Sequence, residues 1–207
     1  GTDFWSIRRY LNEFLSDPRV IEVNRVLLSV IRNLIILNVR PKISAKAYKE
    51  IWLETMDESP LRFHTRTQSD ALSQRLIENE FSTEIDWATR YGSPAIGGRL
   101  EEMRAKGCRK ILLLALYPQY SATTTASAYD KAFQALQKMR WQSVIRTTPA
   151  YYNNEKYLEI LAKSINEHIA CLDWKPNVIL TAFQGLPKLT WMRATPTTAS
   201  VHKHPDL

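Results

Sequence analysis

The run of residues 110–116 (KILLLAL) constrains the fold of this chain more than any other segment does. Every position from 111 to 116 is apolar, so this run has no polar face to present to water. Strands of this kind are typical of the centre of a parallel sheet that is covered by helices on both faces. The sequence therefore predicts an α/β protein built around this strand.

Helix and strand patterns alternate on both sides of this run. The predicted strands are 84–91, 110–116, 142–147 and 177–183, and the predicted helices between them are 94–106, 126–138 and 153–170. Gly107 stands where the first of these helices needs a C-terminal cap. This order predicts a doubly wound parallel sheet, in which ligands bind beyond the carboxyl ends of the strands. The segments that follow those ends are 90–94, 117–125 and 184–187.

The first 80 residues are predicted to be helical. Residues 6–17 repeat apolar positions with helical spacing, with Ser6 as the N-cap. Residues 24–38 are too apolar for a solvated helix and are predicted to form a core helix or one that lies on a membrane surface, ended by Pro41. Two further helices are predicted at 44–54 and at 65–79, separated by the break Glu58-Ser59-Pro60.

Composition excludes several classes of protein. Cys108 and Cys171 lie far apart in the sequence, which argues against a disulfide scaffold or a CxxC site and predicts a reducing, cytosolic setting. The longest apolar stretch, 26–39, contains polar residues, so no membrane span and no signal segment is predicted. The formal net charge of +7 favours an anionic partner, but the basic residues are scattered without a nucleic-acid-binding motif, so no nucleic acid is expected.

A resemblance to a known family rests on five short segments, which are RYLNEFLSD at 9–17, AKAYKEIW at 45–52, SPL at 59–61, RYGSP at 90–94 and LYPQYS at 116–121 with Thr124-Thr125. Together they resemble ferrochelatases, especially those of Gram-negative bacteria, from Asp3 to about Lys188. The resemblance implies a chelatase-like Rossmann-type lobe, one of two similar lobes that enclose a porphyrin cleft. Residues 1–188 would be the amino-terminal lobe, incomplete because its first strand, with an LGTPD-like turn, would precede Gly1. The second lobe, with another acidic metal-site residue, would follow Pro187.

The same resemblance implies an enzyme that inserts ferrous iron into protoporphyrin during heme biosynthesis. Ferrous iron and the porphyrin would be its substrates, and neither a permanently bound cofactor nor an iron–sulfur cluster is expected. Residues 26–39 match the segment with which the family leans on a membrane. The implied location is therefore cytoplasmic, with peripheral contact to the inner membrane.

Six residues are implied to contact the porphyrin, and they are Ser59, Arg90, Tyr117, Gln119, Ser121 and Tyr129. Arg90 would bind a propionate, and Tyr117, Ser121 and Tyr129 would line the cleft. Considered without the family, Arg90 is a solvated charge at a strand end, Tyr117 packs in its loop, and Ser121 is a helix N-cap. Both interpretations stay open at this point.

Gln184 stands at the family's metal-site histidine. Family members read SFHG(I/L)P at this point, whereas residues 182–187 here read AFQGLP. Histidine can accept a pyrrole proton near neutral pH and binds ferrous iron well, but glutamine does not titrate there and its amide oxygen is a poor iron ligand. The catalytic and metal position is therefore expected to be impaired. The alternatives are a non-catalytic tetrapyrrole-binding or interaction module, and an unrelated basic α/β protein that binds anions.

Residues 189–207 lose the resemblance and any helix or strand periodicity, which predicts a disordered terminus. A frameshift near 187–189 is a sharper hypothesis. In a displaced reading frame the codons of Trp191 and Met192 force an aspartate, and one consistent choice of codons spells LDEGDPYYCQCAQTSR, which resembles the family's continuation. His202 and His204 are therefore discounted as metal ligands.

Overall fold

Two parallel strands joined by a helix form the centre of the computed structural model, which describes residues 1–21, 23–182 and 185. β1 is Lys110–Leu113 and β2 is Val144–Thr147. Their register pairs Lys110 with Val144 and Leu113 with Thr147. Helix α6 (Ser127–Lys138) connects them, as a parallel pair requires. The predicted α/β class with a parallel sheet is confirmed.

The core lies on one face of this sheet. Leu100, Ile111 and Ala132 are buried together, and they come from helix α5 (Ile96–Ala105), β1 and α6. Because strand side chains alternate, Leu112 and Val144 point to the opposite face, where both are exposed. Gly107 follows α5 with a φ of 87°, which confirms the predicted C-terminal cap because glycine adopts this left-handed conformation without steric cost.

Helix α1 spans Phe4–Leu15. Its N-cap is Asp3, and the prediction of Ser6 as the cap was wrong. The Asp3 carboxylate accepts hydrogen bonds from the backbone N–H groups of Trp5 and Ser6, each at 3.0 Å. These are two of the donors that a helix start leaves unsatisfied, so the helix begins one turn earlier than its apolar spacing indicated.

Pro41 does not end the second helix, contrary to the prediction. Helix α2 (Arg25–Ile31) continues through a π-helical turn (Arg32–Ile36) into helix α3 (Leu37–Glu50), and Pro41 lies fully buried inside α3. Proline removes one backbone hydrogen bond, but α3 packs against α1, and this burial outweighs that loss. Residues 44–50 of the separate helix predicted at 44–54 are therefore part of α3, and residues 51–54 lie beyond its end. Residues 26–39 are largely exposed, so the core-helix interpretation is wrong, and the interfacial one stays a prediction.

The predicted break at Glu58-Ser59-Pro60 is confirmed as the start of helix α4 (Pro60–Glu78). Ser59 is its N-cap, and its hydroxyl accepts from the backbone N–H of Arg62 at 3.3 Å. Pro60 takes the first helical position, where its missing N–H costs nothing. Helix α7 (Glu155–Ala170) is capped by Asn154 and buries none of its residues.

Two predicted strands were wrong. Residues 84–88 are not paired with any strand, although their acidic side chains form ion pairs with Arg99 and Lys106 of the α5 region. Residues 177–182 are also unpaired, and Leu180 is 92% exposed, while residue 183 lies outside the described residues. An extended segment becomes a strand only when a neighbour takes up its backbone hydrogen bonds, and β1 pairs with β2 alone in the described part of the chain.

Among the described residues, no helix is both long enough and apolar enough to cross a membrane.

Replacement of Leu100 by alanine tests whether the core of this lobe lies between α5, β1 and α6. Leu100 is 3% exposed, so Leu100→Ala is expected to lower the free energy of unfolding by about 3 kcal/mol through lost burial and a residual cavity. Urea denaturation followed by circular dichroism measures this change.

Leu61→Ala is the matched control, because Leu61 is 74% exposed and its truncation should change the unfolding free energy by less than about 0.5 kcal/mol. Equal effects of the two substitutions would contradict this assignment of the core.

Candidate functional site

The loops after β1 and β2 are joined at the carboxyl edge of the sheet. The carbonyl oxygen of Pro118 accepts from the backbone N–H groups of Tyr151 and Tyr152 at 3.0 and 3.1 Å. The N–H of Thr148 donates to the carbonyl oxygen of Leu113 at 3.1 Å, which extends the pairing of the strands by one residue. This edge is where parallel sheets bind ligands, and these bonds hold its loops in place.

A buried carboxylate, Asp17, ties this edge to the end of α1. Its Oδ2 atom accepts hydrogen bonds from the Arg90 guanidinium, the Ser127 hydroxyl and the Tyr91 hydroxyl, the last at 2.8 Å. Its Oδ1 atom accepts from the backbone N–H of Arg19 at 2.8 Å. Nε of Arg90 donates to Oγ of Ser127 at 2.6 Å, which closes the network. We refer to Asp17, Tyr91, Arg90 and Ser127 as the Asp17 network.

The electrostatics of the Asp17 network favour a charged carboxylate. Burial by itself raises the pKa of Asp17, but hydrogen bonds from Ser127, Arg19 and Tyr91 and the charge of Arg90 together hold that pKa below its ordinary value. Burial raises the pKa of Tyr91 to about 12, and its hydrogen bond to Asp17 acts in the same direction. The Asp17–Arg90 ion pair therefore persists at neutral pH with Tyr91 protonated.

An aromatic cluster surrounds the Asp17 network. The Tyr91 ring packs edge-on against Phe14 at 5.4 Å and Tyr10 at 6.1 Å, measured between centroids. Tyr10 also contacts Tyr48 of α3 at 6.2 Å, and burial raises the pKa of Tyr10 well above its usual range. These contacts connect α1 and α3 to the site and keep water away from the buried ion pair.

Arg90 is not the solvated charge that it resembled when considered without the family. Its side chain is 16% exposed and that of Asp17 is 1% exposed. The guanidinium also lies 4.4 Å from the centroid of the Tyr91 ring. One N–H of Nε and one of Nη2 are donated to Ser127 and Asp17, so the two N–H groups of Nη1 and the second N–H of Nη2 have no acceptor within the described residues.

The other predicted porphyrin contacts divide into exposed and structural residues. Tyr117 and Gln119 lie exposed on the loop after β1. Ser121 is buried and caps the π-helical turn Ala122–Ala126 that begins the α6 helix, with its Oγ accepting from the N–H of Thr123 at 3.2 Å. The Tyr129 hydroxyl donates to the carbonyl oxygen of Thr148 at 3.1 Å. The structure thus brings Tyr117, Gln119, Ser121 and Tyr129 to the same edge.

Ser59 is connected to the segment after Arg90 through helix α4, which it caps. The Arg62 guanidinium, one turn into α4, donates to the carbonyl oxygen of Ser93 at 2.7 Å, and Ser93 lies three residues after Arg90. The hydroxyl of Ser59 accepts one capping bond, so its proton and its second lone pair remain for a ligand.

Gln184, which stands at the position of the family's histidine, lies outside the described residues, as do all of 189–207. The catalytic and metal prediction for Gln184, and the predictions of a disordered and out-of-frame tail, therefore stay predictions. The described part of the chain contains no group of three or more His, Cys, Asp or Glu side chains arranged to hold a metal ion. Cys108 and Cys171 are both free thiols.

Sequence reasoning missed Asp17 and Ser127 as members of the site. Asp17 closes the RYLNEFLSD segment and Ser127 follows the threonine-rich loop, but neither stood out as a partner of Arg90. They are separated from each other by 110 positions, and Arg90 is separated from Asp17 by 73. The available signal was chemical, since an acidic residue in an apolar segment needs a cation when it is buried.

The family model and the individual relatives that match this chain belong to the same family. The family model described as Ferrochelatase matches residues 2–204. The ferrochelatase of Allorhizobium ampelinum is 47% identical over 98% of this chain, and those of Agrobacterium fabrum and Rhizobium meliloti are 47% and 48% identical over 95% of it. The chain covers 59%, 57% and 58% of those proteins, respectively, so it spans less than two thirds of their length.

Replacement of Asp17 by asparagine tests the Asp17 network. Asp17→Asn leaves the Arg90 charge uncompensated, so we expect it to lower the free energy of unfolding at pH 7 by about 3 kcal/mol. The folded-state pKa of Asp17 lies below its unfolded value of about 3.9, so this stabilisation is complete above that pH and is lost as the pH falls through the folded-state pKa. Urea titrations at several pH values between 7 and 3 measure the difference between the native chain and the variant.

Asp130→Asn is the matched control. Asp130 pairs with Arg19 at 2.7 Å, but both side chains are more than one-third exposed, so its replacement should cost less than about 1 kcal/mol. The network assignment would be refuted if both variants lost equal stability, or if the cost of Asp17→Asn did not shrink in acid.

Proposed function

The chain belongs to the ferrochelatase family, and from this membership we propose that it is part of an enzyme that inserts ferrous iron into a porphyrin in heme biosynthesis. The porphyrin and ferrous iron are the proposed substrates. The relatives named above carry this activity in their names, and the chain matches more than half of their length.

One observation supports porphyrin binding at the carboxyl edge of the sheet. Tyr117 and Gln119 are exposed on a loop whose backbone is fixed to the loop after β2 through Pro118. A flat aromatic ligand needs an aromatic surface that is rigid before it binds, because ordering a mobile loop would cost affinity. Tyr117 offers that surface, and the Gln119 amide offers a donor and an acceptor to a polar substituent.

In this proposal Arg90 contributes less to porphyrin binding than an arginine without an ion-pair partner would. Because Asp17 already offsets its charge, a porphyrin propionate would bind only through the N–H groups of Arg90 that are not donated to Asp17 or Ser127. Ser121 and Tyr129 hold the loop and α6 in place through their own hydrogen bonds. Ser59 contributes its remaining proton at the start of α4.

Metal insertion requires a group that accepts two pyrrole protons, and the described residues of the site supply a poor one. The Asp17 carboxylate is a weak base because its pKa is depressed and its lone pairs are already engaged. Tyr91 and Tyr10 stay protonated near neutral pH because their pKa values are raised. The task would fall to residue 184, where glutamine replaces the family's histidine and cannot titrate. We therefore propose that this chain binds porphyrin but turns it over poorly.

A non-catalytic tetrapyrrole-binding module is the second candidate function. It is favoured by the same lack of a proton acceptor, since binding needs only the exposed loop and the rigid residues beneath it. The two candidates differ in turnover and agree on binding.

Spectroscopic titration tests both. Protoporphyrin added to the 207-residue chain should shift the Soret band saturably. Addition of ferrous or zinc ions under anaerobic conditions should give metalloporphyrin slowly if the first candidate is right, and not above the rate without protein if the second is right. Rapid turnover by the native chain would overturn the proposed impairment and support a working enzyme. Failure to bind porphyrin would overturn both candidates.

Tyr117→Ala identifies the binding surface. Loss of the exposed ring is expected to weaken porphyrin binding about ten-fold, which corresponds to about 1.4 kcal/mol. Phe133→Ala is the matched control, because both rings are 43% exposed and Phe133 lies on α6. An unchanged dissociation constant in Tyr117→Ala, or an equal loss in Phe133→Ala, would place the ligand elsewhere.

We further propose a cytoplasmic location with peripheral membrane contact through residues 26–39. Large apolar side chains along this segment are exposed, among them Val26 at 75% and Leu34 at 70%. The helical chain that continues from it carries Arg40, Lys42 and Lys46, and cations next to an apolar face favour anionic lipid surfaces. The free thiols of Cys108 and Cys171 fit a reducing compartment.

Vesicle sedimentation measures this contact. The chain is expected to sediment with vesicles that contain one-third phosphatidylglycerol and much less with pure phosphatidylcholine. Leu34→Asp should lower the partition coefficient about ten-fold because a charge replaces an exposed apolar side chain that would enter the lipid surface. Ile160→Asp on α7 is the control, since Ile160 is similarly exposed at 68%, and an equal effect there would contradict the proposed surface.

A further inference from the structure

A cavity of about 570 Å³ lies away from the site described above, where α5 and α6 end. Its lining consists of Glu101, Arg104, Lys138, Met139, Arg140 and Trp141. Its volume falls in the range of small-molecule sites, which hold ligands of roughly 300–1,000 Å³. The carboxyl edge of the sheet, with Tyr117 and Gln119, lies at the other end of the strands, because Arg140 and Trp141 precede β2 and the site residues follow β1.

The charge of this cavity is unbalanced. Three cationic side chains, Arg104, Lys138 and Arg140, face it together with one carboxylate, that of Glu101. None of the three forms an ion pair with an acidic side chain in the described part of the chain. Three cations that line one cavity with a single carboxylate leave an excess of positive charge there, and a bound anion would offset it.

Helix ends explain part of this arrangement but not all of it. Arg104 and Lys138 occupy the last turns of α5 and α6, where a cation is favoured by the helix dipole whether or not a ligand binds. Arg140 and Trp141 lie beyond the end of α6, so the dipole gives no reason for them to face the same cavity. Trp141 is nearly half exposed, which leaves its indole face available for stacking.

We propose that this cavity is a second binding site, for a small anion that carries phosphate or carboxylate groups on a planar aromatic ring. Arg140, with Arg104 and Lys138, binds the anionic groups. The indole of Trp141 and the side chain of Met139 contact the ring. Glu101 selects for a ligand that also presents a hydrogen-bond donor to it. This site is independent of porphyrin binding at the carboxyl edge.

Isothermal titration calorimetry of the 207-residue chain with ATP, inorganic pyrophosphate and adenosine tests the proposal. ATP should bind most tightly, pyrophosphate more weakly, and adenosine weakest because it lacks the anionic groups. Arg140→Gln should weaken both ATP and pyrophosphate at least ten-fold, whereas Trp141→Ala should weaken ATP and leave pyrophosphate unchanged. ATP affinity should also fall as salt rises from 50 to 300 mM.

Lys156→Gln is the charge-matched control, since Lys156 lies exposed on α7 and its removal lowers the net charge by the same amount. Arg140 lies outside the helices, so its replacement spares the helix ends, and thermal melts of each variant confirm that the chain still folds. Absence of ATP and pyrophosphate binding would overturn the site. An equal loss in Lys156→Gln would also overturn it, because binding would then follow net charge alone.

Discussion

The rest of this lobe depends on the ion pair between Asp17 and Arg90. The pair joins the residue that follows α1 to the segment before α5, and Ser127 adds the start of α6 to the same carboxylate. A carboxylate that is 1% exposed must be hydrogen-bonded and neutralised, since an isolated buried charge costs several kcal/mol. The three segments therefore have one arrangement in which all the polar groups of the network are satisfied, and the chain has to adopt it to bury the surrounding aromatic rings.

This constraint divides the candidate site into a fixed floor and an accessible rim. The floor consists of groups that form hydrogen bonds within the protein, among them Asp17, Ser127 and two of the five N–H groups of Arg90. The rim consists of Tyr117 and Gln119, whose side chains are exposed above it. The same saturation that makes the floor rigid makes it a poor source or acceptor of protons. The groups that are exposed to a ligand and the groups that are held by hydrogen bonds within the protein are therefore different residues in this fold.

The sequence predicted the ends of helices correctly where one residue, or two adjacent ones, determine the local backbone. Gly107 ends α5 because of its positive φ, and Ser59-Pro60 starts α4 because cap and proline suit adjacent positions. The predictions were wrong where the structure of a segment depends on packing against a part of the chain that is distant in sequence. Pro41 is tolerated because α3 packs on α1, and residues 84–88 stay unpaired because, in the described part of the chain, no strand lies against them.

In the candidate site, too, the sequence predicted individual residues but not the contacts between residues that are distant in sequence. The family resemblance named Arg90 and the loop after β1 from short motifs, but it could not show that Arg90 is committed to Asp17, because 73 positions separate the two. Composition showed an excess of positive charge but not that Arg104 and Arg140 meet at one cavity. Contacts of this kind follow from packing of elements against each other, which periodicity and spacing do not encode.

The contacts that hold the Asp17 network together are separate from the residue that stands at the family's metal position. The contacts that hold the described site run between Asp17, Tyr91, Arg90 and Ser127, and none of them involves residue 184. Replacing a metal-site histidine by glutamine at 184 would remove a base without removing any of these contacts. A chain of this family can therefore retain strong sequence similarity through its structural residues, and that similarity does not by itself show which residue performs the reaction.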